Sequence, residues 1–293
     1  MALRESDSPA PSLDGPDLSR RDFVRAAVGS SFAAAVLPVG AETIKTDSTG
    51  LTVGEVMIPG GDFKMPAYRA MPAGQTDLPV VLVVSEIFGV HEYIADVARR
   101  FAKLGYLAIA PELFIRQGDA GGYGEVAKLQ TEVISKVPDA QVMGDLDAAV
   151  AWAKANGGDA GRLGITGFCW GGRIAWLFDA HSPAVKAAVA WYGRLVGNPS
   201  ALNPKQPIDL AASLHGPVLG LYGVEDTGIP QDSVERMKQA LASGNEAAKQ
   251  SQFMVYPNAG HAFHADYRPS YRRPAADDGW KRCVAWFKAH GVA

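Results

Sequence analysis

From residue 51 onward the chain alternates between two patterns of apolar residues. Short β-branched runs are followed, again and again, by segments in which apolar positions recur every three or four residues. TVGEVMIP and PAYRAMP read as two short strands joined across Gly60 and Gly61, a hairpin opening. LPVVLVVSE is then an uninterrupted apolar run, the mark of a strand covered on both faces in a parallel sheet. Ile94, Val97, Ala98, Phe101 and Leu104 follow at helical spacing, with Gly105 as the stop. YLAIAPEL, GRLGITGF, VKAAVAWYG, PVLGLYG and QFMVYP read as further strands. QVMGDLDAAVAWAKA, GGRIAWLFDA, SVERMKQALAS and GWKRCVAWFKAH return to helical period. Gly118 to Gly124 is glycine-rich and reads as a flexible connection. Regular alternation of strand and helix, without a linker or repeat, predicts one doubly wound, mostly parallel α/β sheet with helices on both faces. Active sites of such sheets lie beyond the carboxyl ends of the strands.

The first 41 residues are of another kind. SRRDFVR, residues 19–25, couples an arginine pair to an apolar stretch from Ala26 to Ala41 that ends in small residues. This is the form of a twin-arginine export signal. Gly29, Pro38 and Gly40 interrupt the stretch, which falls short of the roughly 20 residues a spanning helix needs. A cleaved signal is therefore expected, with removal near Ala41, a linker over 42–50 and a catalytic domain over 51–293. The expected location is the periplasm, reached through the twin-arginine export machinery, with no stable membrane anchor. Composition excludes other classes: a net charge of −3 and no long basic run give no footprint for nucleic acid. Two cysteines cannot build a disulfide framework, and Cys283, in an apolar helical run, reads as a buried small hydrophobe.

The other cysteine has a different setting. GFCWGG, Gly167 to Gly172, places Cys169 between glycines where a strand gives way to a helix. That is the form of a nucleophile elbow, with cysteine where most hydrolases of this architecture carry serine. The helix that starts there also points its positive end at the sulfur and favours thiolate. Downstream, the strand PVLGLYG runs into VEDTGIP and QFMVYP into NAGHAF, so Asp226 and His261 fall at strand ends where an acid and a base belong. The order nucleophile, acid, base is that of α/β-hydrolases. Thiolate attack on an acyl carbon, proton transfer by His261 and orientation of the ring by Asp226 form the expected chemistry. Glu225 competes with Asp226 for the acid role. His261, His264 and Asp266 could be read as metal ligands, but no third convincing ligand accompanies the pair, and no metal or organic cofactor is expected. His91, His181, His215 and His290 read as ordinary surface or core residues.

SEIFGVHEYI, APELF, GFCWGG, YGVEDTGIP and NAGHAF, in this order, resemble the dienelactone hydrolase (carboxymethylenebutenolidase) family over residues 51 to 290. The resemblance implies an α/β-hydrolase fold and hydrolysis of small carboxylic esters or lactones. It implies a role for Glu86 in activating the cysteine, and an oxyanion hole made by the backbone N–H groups of Ile87 and Trp170. Phe88, Trp191 and Tyr192 are candidates for an apolar substrate pocket. Family members hold a substrate carboxylate with arginines, one soon after the catalytic histidine and one before the elbow. Here HAFHAD has none before Arg268 and QGDAGGYGEVAKLQ has none, which leaves Arg116 as the candidate anion contact. Two rival readings remain: a small-molecule binding protein that kept the fold without the chemistry, and a thiol redox protein, for which no resolving cysteine lies near Cys169.

Overall fold

The computed structural model describes residues 43–61 and 63–293. The arginine pair, the apolar stretch behind it and the expected cleavage point near Ala41 lie outside the described residues. Eight strands form one sheet: β1 (Leu51–Gly60), β2 (Phe63–Pro72), β3 (Leu78–Val84), β4 (Leu107–Pro111), β5 (Gly158–Phe168), β6 (Val185–Trp191), β7 (Val218–Gly223) and β8 (Gln252–Tyr256). Their order across the sheet is β1-β2-β4-β3-β5-β6-β7-β8. The hairpin pairs β1 with β2, and β2 runs antiparallel to β4. From β4 to β8 every neighbouring pair is parallel.

Position in this order explains composition. β3 lies between β4 and β5, is covered on both faces, and Val80 to Val84 are wholly buried. The edge strand β1 mixes half-buried and exposed positions, with Ile58 its one buried residue. Five longer helices connect or flank the strands: α1 (Glu92–Lys103), α2 (Asp139–Ala155), α3 (Trp170–His181), α4 (Gln231–Ala242) and α5 (Arg273–Ala289). The crossover through α1 moves from β3 towards the hairpin, whereas those through α2, α3 and α4 move the other way. Right-handed crossovers in opposite directions put their helices on opposite faces. α5 joins the α1 side, where Phe101 packs against Trp280 at 4.7 Å and Phe287 at 5.9 Å between ring centres. Among the described residues no helix is long and apolar enough to cross a membrane.

The glycine-rich segment is more ordered than its composition suggests. Ala120–Gly122 makes one tight helical turn, and Val126–Glu132 is a short helix with Leu129 buried beneath it. Seven residues are too few for an apolar period to show in the sequence.

Arg173, in the first turn of α3, ties the elbow helix to two distant segments. Its guanidinium forks onto Asp139, the first residue of α2, at 2.7 and 2.8 Å, and it also donates to Gln206 Oε1 at 3.1 Å and the Lys205 carbonyl at 2.7 Å. Arg173 and Asp139 are both buried. Arg173→Met leaves the Asp139 carboxylate buried without its partner and is expected to cost about 3–5 kcal/mol of stability. Urea unfolding should show that loss, and Arg173→Met combined with Asp139→Leu should recover much of it, because no charge is then stranded.

Candidate active site

β5 ends at Phe168 and α3 begins at Trp170, which leaves Cys169 alone in the turn with φ +55° and ψ −114°. A non-glycine residue in such a conformation stores about 1–3 kcal/mol, a cost the surroundings must enforce. They do so by hydrogen bonding: the Cys169 N–H donates to the Trp191 carbonyl at 3.0 Å, and its carbonyl accepts from Gly172 N–H at 3.0 Å. The flanking glycines follow from close approach. A Cβ on Gly167 would lie 2.0 Å from the Gly171 carbonyl oxygen, and one on Gly171 would lie 2.4 Å from that of Val84. α3 is thus seated against the ends of β3 and β5, a contact that any side chain at either position would prevent.

The loops after β7 and β8 close on this turn. Glu225 N–H donates to the Ala259 carbonyl at 2.9 Å and Val224 N–H to that of Tyr256 at 2.9 Å, so the two loops are joined by their backbones. Glu225 directs its side chain to solvent, whereas Asp226 is buried. Asp226 Oδ1 accepts the Gly228 N–H at 2.9 Å, and Oδ2 lies 2.7 Å from His261 Nδ1. Of the two acids, it is Asp226 that contacts the histidine among the described residues. With Nδ1 engaged, Nε2 is the nitrogen left for Cys169, which lies close enough to act on the ring. Burial disfavours charge on the ring, but the bond to Asp226 and the neighbouring Cys169 outweigh it and raise its pKa to about 10. Tyr192, whose backbone also lies in the left-handed region at φ +38°, meets the imidazole edge to face at 5.3 Å.

Glu86 follows the end of β3 and is wholly buried. Its Oε2 accepts a hydrogen bond from Tyr267 Oη at 2.6 Å and lies 3.6 Å from His91 Nε2, while Arg268 Nη1 lies 3.8 Å from Oε1. Burial pushes this carboxyl up, yet His91, Tyr267 and Arg268 together hold it below the ordinary carboxylate range. Ile87 follows Glu86, and Trp170 opens α3. Among the described residues neither of their backbone N–H groups donates to an internal backbone or side-chain acceptor.

Two expected pocket residues are placed elsewhere. Trp191 is wholly buried: its Nε1–H donates to Thr166 Oγ1 at 3.0 Å, its ring lies 4.4 Å from that of His264, and Gly279 of α5 backs onto it. It belongs to the core beneath α5. Arg116 is held by Asp145 and lies over the Phe63 ring at 4.4 Å, so its charge is already engaged away from the site. Phe88 stays at the site, half-buried, with the Arg268 guanidinium 5.5 Å from its ring. Trp170 packs its side chain on Phe114 at 4.6 Å and leaves its amide to the site. His264 accepts from or donates to Tyr93 Oη at 2.6 Å, and burial keeps its pKa well below the ordinary value. Among the described residues no group of three or more His, Cys, Asp or Glu could hold a metal ion. His91, Tyr267 and Arg268 are neighbours of Glu86 that the sequence did not disclose. Arg268 arrives because the loop after His261 folds back over Phe88, a path that spacing alone does not encode.

A parallel sheet with an elbow at the end of β5, and with acid and histidine loops after β7 and β8, defines an α/β-hydrolase. A family model described as the dienelactone hydrolase family matches residues 65–291, and the chain belongs to that family. It is 61% identical over 278 residues, 94% of each chain, to a Methylorubrum extorquens protein named "Putative carboxymethylenebutenolidase". It is 32% identical over 226 residues, 76% of this chain and 89% of the other, to a Bradyrhizobium protein named "Probable 2-oxo-3-(5-oxofuran-2-ylidene)propanoate lactonase". The crystal structure of a Klebsiella pneumoniae protein titled "Putative Dienelactone Hydrolase" superposes with a TM-score of 0.79 at 56% identity, covering 81% of this chain and 98% of that one.

Proposed function

We propose that the protein hydrolyses small carboxylic esters or lactones through an acyl-thioenzyme on Cys169. The juxtaposition of Asp226, His261 and Cys169 at the ends of three separate strands, with Asp226 bonded to His261 at 2.7 Å and Cys169 near enough to raise the pKa of the ring, carries this reading. Cys169 Sγ attacks the acyl carbon as thiolate, its proton having passed to the Glu86 carboxylate, while His261 keeps its own. The carbonyl π electrons move onto oxygen, where the N–H groups of Ile87 and Trp170 receive the charge. As the intermediate collapses, the acyl C–O bond breaks and His261 gives its proton to the leaving alkoxide; in a lactone that alkoxide remains part of the same molecule. A water molecule then attacks the thioester, passes a proton to His261, and releases the acid and the thiolate. Asp226 fixes the ring and stabilises its charged form.

Arg268 supplies one cation beside the site, so small lactones with a single carboxylate fit better than dianionic ones. The Bradyrhizobium relative, whose name describes an anionic lactone, supports this choice. The arginine pair in SRRDFVR supports export to the periplasm by the twin-arginine route.

Initial rates on a neutral aryl ester, a neutral unsaturated lactone and its carboxylated counterpart test the reading, with the carboxylated lactone expected to give the highest kcat/KM. The pH profile adds a second criterion. His261 must carry its proton to serve the leaving group, and its pKa is raised to about 10. Activity should therefore persist through neutral pH and fall as pH rises through about 10. No turnover on any of the three substrates refutes the proposal, and a rate that keeps climbing past that pH refutes the assigned role of His261.

A further inference from the structure

Five groups from four elements surround the Glu86 side chain: His91 before α1, Tyr93 within α1, Tyr192 after β6, and Tyr267 with Arg268 in the loop beyond His261. They do not treat its two oxygens alike. Tyr267 Oη and His91 Nε2 both address Oε2, at 2.6 and 3.6 Å. Oε1 is buried without a hydrogen-bond donor among the described residues, its nearest cation being Arg268 at 3.8 Å. A buried carboxylate oxygen lacking a donor is costly and keeps its lone pairs available for a proton.

We infer that Tyr267 and His91 are positioning residues that clasp Glu86 through Oε2, keep it ionised although buried, and leave Oε1 as the oxygen that takes the proton of Cys169. This rests on the role of Glu86 proposed above and adds how the carboxylate is held. The clasp is itself braced. His91 packs edge to face against the Tyr267 ring at 4.9 Å and stacks on Tyr93 at 5.9 Å. Asp266, beside Tyr267, accepts from Arg100 Nη2 at 2.8 Å and from the Ile44 N–H at 3.3 Å, which pins the loop to α1. Tyr267 remains a donor because burial and the adjacent carboxylate push its hydroxyl pKa far above the ordinary value. Tyr93 and Tyr192 are likewise kept protonated by burial, so neither contributes a negative charge beside Glu86.

The test is the rate of Cys169 alkylation by iodoacetamide as a function of pH, which needs no substrate turnover. In Tyr267→Phe the Glu86 carboxyl loses its hydrogen-bond donor, and in His91→Ala it loses the imidazole 3.6 Å away, but it stays buried, so its pKa rises. The acid limb of the profile should move to higher pH by roughly one unit, a tenfold change in proton affinity. Glu86→Gln should abolish the limb, and Tyr267→Phe should have no further effect in that background. An unmoved limb in both Tyr267→Phe and His91→Ala overturns the inference, as does a Tyr267→Phe shift that persists without Glu86. Thermal melting identifies any variant that fails to fold, in which case the other residue decides. Failure of the hydrolase reading would show separately, as absent turnover with an intact alkylation profile.

Discussion

Cys169→Ala is expected to lower kcat for ester or lactone hydrolysis by about a millionfold, to the level that binding and the oxyanion donors supply alone. The expectation follows from the place of the sulfur. Cys169 stands at the only residue between β5 and α3, held at φ +55° by its backbone bond to Trp191. Alanine is no less strained there than cysteine and removes one half-buried atom, so the fold should survive and the lost activity can be assigned to chemistry. A second effect should accompany it. The neighbouring Cys169 is among the causes that raise His261 to about 10, and without its sulfur the imidazole should release its proton at a lower pH. Titration of the His261 ring signals by NMR in both proteins reads this directly. Retained turnover in the variant excludes a cysteine nucleophile. A wild-type protein that turns over no substrate, with an inert thiol, would favour the binding-protein reading.

How far the site was legible in sequence depends on what each residue does. Cys169, Asp226 and His261 are marked by local patterns: a glycine turn that a helix must approach closely, and polar residues directly after buried strands. β3 is equally plain, because a strand covered on both faces admits no polar position along its length, and Ser85 and Glu86 come only after its end. The neighbours of Glu86 carry no such mark. His91 precedes an ordinary amphipathic helix, and Tyr267 and Arg268 sit in a loop whose path is set by Asp266 and Arg100, 166 residues apart in sequence and adjacent only in space. Trp191 shows the complementary error. Trp191 is the last residue of β6, whereas Tyr192 lies beyond the strand, so strand alternation does not tell where the second ring points. Trp191 went to the α5 side, and only the left-handed backbone of Tyr192 turns its ring to His261. Arg116 failed for a related reason, since a lone arginine in a loop finds whichever carboxylate the fold brings near, here Asp145.

Asp226→Asn should cost about 10⁴-fold in kcat while leaving substrate affinity nearly unchanged, by the logic of a triad whose acid loses its charge. The geometry explains why an isosteric change is so damaging. Asp226 Oδ2 lies 2.7 Å from His261 Nδ1, and Oδ1 is fixed by the Gly228 N–H. In the variant, the Gly228 donor keeps the amide oxygen at the Oδ1 position and turns the NH₂ group towards Nδ1. The ring must then accept at Nδ1 and carry its single proton on Nε2, facing the sulfur, which prevents it from receiving a proton there. The bond to Asp226 is also the largest of the causes that raise His261, so its pKa should fall well below about 10 and the alkaline limb of the pH profile should move down with it. The sign is fixed: a raised histidine keeps its charge until pH passes its pKa, and removing the raising partner shortens that range. Glu225→Gln separates this effect from a general loss of negative charge in the loop. Glu225 is one residue away but exposed, and its substitution should leave kcat/KM within about twofold. Equal losses from the two substitutions would show that Asp226 acts through the field of the loop, whereas the 2.7 Å bond requires that only Asp226→Asn be severe.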